Sequence, residues 1–368
     1  PDYNGEKQDG ASIYQITMRD GLRCSSADAY LRPARKRPNL EVRTGAQVTR
    51  LIFEGRSAPS VEYMRDGKRV AVRANREVIL SAGAVNSPQI LMLSGIGDGA
   101  KLSGHGIETN YNLPQVGQNL QDHLGFDYIY EANCLTLNDV LRPLHRRMAV
   151  GLQYLATRKG PLSLSINQAG GFVRTDESRQ RPNIQLYFSP LSYTRAIPGK
   201  RALMRADFFS GFMLGTSNCH PLSRGEIDLR SADPFASPVI RPNYLSDERD
   251  LDELVQSARI LRKIAAEQPL AGKIIREITP GPDTETDEEM AADIRARSGS
   301  VFHACGTCAM GPDPKKSVVG PRLRVHGVPG LRVVDASIFP LITSGNINAP
   351  SIMVGERGAD FILEDMKG

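Results

Sequence analysis

Two short apolar runs at distant points of the chain constrain its fold more than any other feature. Arg76-Glu77-Val78-Ile79-Leu80-Ser81-Ala82-Gly83 has an aliphatic centre and ends in small residues. Leu331-Arg332-Val333-Val334-Asp335-Ala336 has the same character and ends beside an acid. Aliphatic runs without polar alternation suit strands covered by helices on both faces, the usual state of a parallel sheet. Helix signals follow both runs. After the first, Ser87 predicts an N-cap, Pro88 the first helical residue and Gly95 the stop. After the second, Asn348-Ala349-Pro350 predicts the start of a helix running to Asp365.

Between the two runs the pattern changes. Asn39 to Thr44, Val48 to Glu54 and Val61 to Met64 are β-rich runs parted by turn residues and predict strands. Leu135 to Lys159 has helical spacing. Asn183 to Phe188, Asp207 to Leu214 and Gly225 to Leu229 alternate like sheet with one wetter face. Ser246 predicts the cap of a long helix through Glu267, with Asp247 and Glu248 in its positive first turn. Thr286 and Glu289 have capping-box spacing. The expected architecture mixes α/β and α+β. Residues 1–124 form part of a nucleotide-binding domain, 125–300 a substrate domain with an antiparallel sheet and flanking helices, and 301–368 return to the first domain.

Composition narrows the function. The 368 residues are 40% apolar and 24% charged, with a net charge of +5. The basic clusters at Arg32 to Arg37 and Arg142 to Arg147 are short and carry prolines. No aromatic-studded groove accompanies them, so they read as solvated faces and not as a nucleic-acid surface. No apolar run approaches the ~20 residues of a membrane span. The five cysteines are odd in number and scattered, which predicts reduced thiols in a cytoplasmic compartment. No signal peptide is expected from the first residues, and Pro1-Asp2-Tyr3-Asn4-Gly5 reads like the middle of a loop.

The last quarter concentrates the chemistry. Val301-Phe302-His303-Ala304-Cys305-Gly306-Thr307-Cys308 is followed by the strand ending at Asp335 and then by Ser344-Gly345-Asn346-Ile347-Asn348-Ala349-Pro350. A base, a strand-end carboxylate and a helix start suit removal of hydride from an alcohol onto a flavin. Imidazole has the near-neutral pKa such a base needs. An amide such as Asn346 cannot be a base, but it can donate a hydrogen bond to a substrate oxygen. Gly95-Ile96-Gly97-Asp98-Gly99-Ala100 fits a dinucleotide pattern on paper, yet follows a helix instead of a strand, so it predicts a helix stop and turn. Cys305 and Cys308 lack the further ligands of a zinc site, and no metal is expected. His220 precedes a strand and reads as structural. His105, His123, His145 and His326 have no arguable partner.

Gly83-Ala84-Val85-Asn86-Ser87-Pro88-Gln89-Ile90-Leu91-Met92-Leu93-Ser94-Gly95-Ile96-Gly97 resembles a signature of the glucose–methanol–choline (GMC) family of flavin oxidoreductases. Val116-Gly117-Gln118-Asn119-Leu120-Gln121-Asp122-His123 resembles the family's next segment, near the flavin's cover. Arg23 to Leu31 and the His303 context extend the likeness over nearly the whole chain. It is strongest at 76–123 and 301–358 and weak across the middle. The resemblance implies a fold with an FAD-binding domain and a substrate domain, and FAD as cofactor. It implies oxidation of a small alcohol to an aldehyde or ketone, with the hydroxyl proton going to His303 and hydride to flavin N5. Asn346 would hold the alcohol. Val48 would meet the adenine by its backbone, and Ser81 and Ala82 would line the cofactor. Asp335 and Ala336 would contact the ribityl–pyrophosphate part, and Asn346, Ile347, Asn348 and Pro350 would bring a helix N-terminus to the flavin ring.

Family members begin with a strand, G-x-G-x-x-G and a helix. That unit is absent here, so the chain is expected to lack an N-terminal segment that completes the fold. The motif at 345–350 looks most like members acting on choline and aliphatic alcohols. A quaternary ammonium favours an aromatic cage, and a chain with no Trp and 6% aromatic residues argues against choline itself. Two alternatives stay open: a hydroxynitrile lyase on the same fold, and an inert fragment that needs its missing part.

Overall fold

The computed structural model describes residues 2–193 and 205–367. The chain divides into two compact units, each discontinuous in sequence. One comprises residues 1–40, 124–219 and 248–300; the other comprises 41–123, 220–247 and 301–368. The sequence reading put residues 1–40 with the strands that follow them. In the structure residues 1–40 group with the antiparallel sheet, and residues 220–247 with the other unit.

In the first unit a seven-stranded sheet runs in the order Gly10–Ile13, Ala169–Val173, Ile184–Ser189, Gly211–Asn218, Leu124–Ala132, Ile274–Thr279, with Gly299–Ser300 also on Leu124–Ala132. Every pairing is antiparallel. The strand expected over Asp207 to Leu214 lies further on, at Gly211–Asn218, and is buried along its whole length. It has no wet face because it is central in the sheet and the helix Glu248–Ala266 lies against it. The helical run from Leu135 is two helices, Leu137–Leu141 and Leu144–Thr157, parted at Pro143. Proline has no N–H for an unbroken helix and serves here as the second one's N-cap residue. Thr286 and Glu289 form the predicted capping box of Asp287–Arg297.

In the second unit, Gln47–Glu54, Ser57–Arg65 and Lys68–Arg73 form a meander. Its second turn is Asp66-Gly67 with positive φ at both residues, 50° and 73°, as a hairpin twisted to match its strands requires. Asn39 to Thr44 is not a strand: it is irregular, and none of the described strands pairs with it. Val78–Leu80 and Leu331–Val333 pair in parallel, Leu80 opposite Val333, which is the expected parallel sheet. Helices Gly83–Leu93 and Asn348–Asp365 follow these strands. Leu51, Leu80, Leu91, Leu331, Val333 and Val354 share one apolar core.

The helix after the first strand starts at Gly83, not at Pro88. Pro88 lies inside it and has no N–H for the carbonyl of Ala84, four residues back. The buried Thr307 hydroxyl donates to that carbonyl instead, at 2.6 Å. Gly95, at φ 76°, ends the run as expected, and Asp98 caps a further short helix, Gly99–Gly104.

Candidate active site

All the candidate residues lie in the second unit. At the carboxyl ends of the parallel strands, Asp335 caps the turn Ala336–Ile338 by accepting the Ser337 N–H at 2.8 Å. Its other oxygen accepts the Gly83 N–H at 2.9 Å and the Ser87 hydroxyl at 2.5 Å. Ser87, expected as an N-cap, thus ties the helix to the second strand. Asp335 fixes the turn at Ser81, Ala82 and Gly83, and its carboxylate is engaged by the chain's own donors. Ser81 and Ala82 are exposed. Gly83 has φ 82°, and nothing lies within 4 Å of the place a β-carbon would take. Ala336 accepts the Gly306 N–H through its carbonyl. Val48 pairs with Tyr63 in the meander and leans on the common core. No hydrogen bond among the described residues links its side chain to the others.

Residues 119–123 run antiparallel to 301–305. Gln121 and Cys305 exchange both backbone hydrogen bonds, at 3.0 and 2.9 Å. The ladder breaks at Phe302, whose φ of 64° is left-handed, a conformation rare for a bulky residue. The His303 N–H therefore meets the Asp122 carboxylate, at 2.8 Å. The second Asp122 oxygen accepts the Tyr244 hydroxyl at 2.6 Å.

The His303 ring is 8% exposed. Its Nδ1 lies 2.9 Å from Nδ1 of His123, with the rings edge-to-face at 87°. Its Nε2 lies 3.1 Å from the Asn346 amide nitrogen. The structure brings together the two residues the sequence singled out for chemistry. Burial holds the imidazole below the ordinary histidine range, and the Asp122 carboxylate offsets part of that shift. Near neutral pH His303 is an uncharged imidazole able to accept a proton.

Asn346 is exposed and sits in a loop turned by Gly345, φ 74°. The Ser344 hydroxyl lies 2.9 Å from His220 Nε2, so His220 braces this loop. Gln121, buried, accepts the Ile342 N–H and donates to the Pro340 carbonyl. The helix beginning at Asn348 has Ile347 at its N-cap and no side-chain cap, so the positive end of its dipole lies at this loop. Thr343 Oγ1 is buried with no partner among the described residues.

His123 corrects the sequence reading, which found it no partner. Asp122 and Tyr244 were also missed. An acid followed by an imidazole at 122–123 was the one visible signal. His326 too has partners, Ser317 and the Gly311 carbonyl. Burial pushes the Cys305 thiol up to about 12 and raises Cys308 as well, so both stay protonated and are poor metal ligands.

These features fit the ring end of a flavin. An open cradle of small residues, an uncapped helix start and an unpartnered hydroxyl are what a planar, hydrogen-bonding cofactor needs beside a base and an amide. The paired parallel strands with helices behind them are those of a nucleotide-binding fold. The chain belongs to the GMC oxidoreductase family: residues 1–125 match its N-terminal model and residues 221–355 its C-terminal model. It is 43% identical over 365 residues to an alcohol dehydrogenase [acceptor] of Pseudomonas putida, covering 98% of this chain and 65% of that one. It is 42% identical over 367 residues to the mitochondrial choline dehydrogenase of Homo sapiens, covering 98% of this chain and 60% of the relative. The chain thus spans less than two thirds of the length of these relatives. A structure of formate oxidase from Aspergillus oryzae, an R554A variant studied for FAD modification, superposes with a TM-score of 0.89 at 28% identity, covering 98% of this chain and 66% of that one.

Proposed function

We propose that the chain is the greater part of an FAD-dependent enzyme that oxidises a small alcohol to an aldehyde or ketone. The observation carrying this reading is the convergence of a neutral imidazole nitrogen and an amide donor, 3.1 Å apart, at His303 and Asn346. FAD, when bound, supplies the acceptor for the electron pair that leaves the C–H bond. The turn at Ser81 to Gly83, the Asp335–Ala336 corner and the helix start at Ile347, Asn348 and Pro350 would hold it, and the Val48 backbone would meet its adenine. On this reading residues 41–123, 220–247 and 301–368 carry the cofactor.

The substrate hydroxyl replaces the His303–Asn346 contact. It donates to His303 Nε2 and accepts from the Asn346 amide. The O–H proton passes to Nε2, and the amide steadies the negative charge growing on oxygen. Asp122 keeps the imidazole in place through its backbone N–H and favours the imidazolium that forms. The family likeness supports alcohols as the substrate class, and the low aromatic content supports substrates other than choline. No helix among the described residues is long and apolar enough to cross a membrane. None of the five cysteines is in a disulfide, which supports a reducing, cytoplasmic setting.

The test is His303→Ala in the flavin-loaded protein. Flavin content should hold while alcohol-dependent dye reduction falls by about 10²–10⁴-fold, the usual worth of a general base. Unchanged turnover would sink the assignment. Release of cyanide from cyanohydrins without flavin bleaching would favour lyase chemistry. Purified chain that stays colourless with added FAD would mark it as inert alone.

A further inference from the structure

We propose that His123 is a positioning residue that holds the Nδ1 proton of His303, leaving Nε2 as the nitrogen that receives the substrate's proton. The inference rests on the reading of His303 as the base. It follows from counting protons around one ring. A neutral imidazole has one N–H and one lone pair. The Asn346 amide nitrogen can only donate, and it faces His303 Nε2 at 3.1 Å, so Nε2 carries the lone pair. The proton then sits on Nδ1, 2.9 Å from Nδ1 of His123. His303 donates, His123 accepts, and His123 carries its own proton on Nε2.

The backbone holds this pair in place. Residues 119–123 and 301–305 share a ladder, and the His123 carbonyl accepts the Val301 N–H at 3.2 Å. Asp122 takes the His303 N–H. Both rings thus hang from anchored backbone, and His123 is fully buried, at 0% exposure. Free imidazole exchanges between tautomers; the partner of one nitrogen decides which the other becomes. Here the partner is a second imidazole and not a carboxylate. Once His303 takes a proton at Nε2, the Nδ1 bond becomes charge-assisted and stronger. The dyad therefore favours the product of proton transfer over the resting state.

His123→Gln and His123→Met are close in size and differ in the acceptor. In flavin-loaded enzyme, rapid-mixing measurement of flavin reduction by alcohol should show His123→Met slowed about tenfold, the worth of one buried hydrogen bond, with the alcohol's apparent binding constant little changed. His123→Gln should keep most of the rate, because its amide oxygen can accept the Nδ1 proton. A mere packing role predicts equal losses, and equal losses would overturn the proposal. A second measurement needs neither turnover nor cofactor. With ¹⁵N-labelled histidine, of which the chain has six, the His303 signals are those lost in His303→Ala. They should report the Nδ1–H tautomer in the unaltered chain, and an Nε2–H tautomer there overturns the idea even if both variants fold poorly. If His303→Ala leaves flavin reduction unchanged, the base assignment itself fails. If His303→Ala is slow while the two His123 variants are alike, only the positioning role fails.

Discussion

Thr307→Val removes one hydroxyl and leaves the volume nearly unchanged. Its predicted effect follows from a gap in a helix 219 residues earlier in sequence, at Pro88 (307 − 88). The Ala84 carbonyl there has no N–H partner at Pro88 and depends on the Thr307 hydroxyl, 2.6 Å away in a site where Thr307 is fully buried. Valine leaves that carbonyl dry and unpaired, which costs about 1–3 kcal/mol. Urea unfolding followed by circular dichroism should show a lower midpoint with little change in slope. The decisive comparison is a Pro88→Ala background, in which an N–H faces the Ala84 carbonyl again. There Thr307→Val should cost less, giving a coupling energy of about 1–2 kcal/mol between residues in contact. Equal costs in both backgrounds would refute the reasoning, since they would mean the hydroxyl does not replace the missing helical bond. The same joint sets the turn at Gly83, so Thr307→Val should also lower the fraction of protein that retains FAD on gel filtration.

Three further outcomes follow from the same site. Asn346→Ala should slow flavin reduction more than it weakens FAD retention, and stopped-flow rates set against flavin content would expose the reverse order. Asp335→Asn should destabilise by about 1.5–3 kcal/mol, because one of its three donors would then face an amide N–H in place of a charged oxygen; an unchanged melting temperature and full flavin content would contradict the role given to it. The third concerns pH. His303 has a depressed pKa in the folded state, so below about pH 6.5 the unfolded chain takes up a proton that the folded chain refuses. Stability present above that pH is lost as the pH falls below it. Between about pH 7.5 and about pH 5.5 the unaltered protein should therefore lose more unfolding free energy than His303→Gln. Equal losses would mean that burial does not hold the ring neutral.

How much of this was legible in the sequence depended on whether the signal was local. The parallel strands and the Thr286 capping box each carry their cause within a few residues. His303 and Asn346 stood out as candidates because their neighbours form recognisable motifs, and the structure brings the two together. The helix start at Gly83 was not, because the carbonyl that Pro88 strands finds its donor far along the chain. Asn39 to Thr44 looked like a strand by residue type, but a strand needs a neighbour and none of the described strands provides one. His123 shows the limit most clearly. It stands 180 residues from His303 in sequence, on a segment the sequence marked only by its likeness to the family's segment near the flavin's cover. What brings the two rings together is a short ladder interrupted by the left-handed φ of Phe302, a bulky residue in a conformation that composition argues against. Without that break, the His303 N–H would lie in the ladder and the Asp122 carboxylate would lose that donor. The strained residue carries no chemistry itself, yet the placement of the proposed base depends on it, so a single-sequence reading finds a candidate reactive group more readily than what aims it.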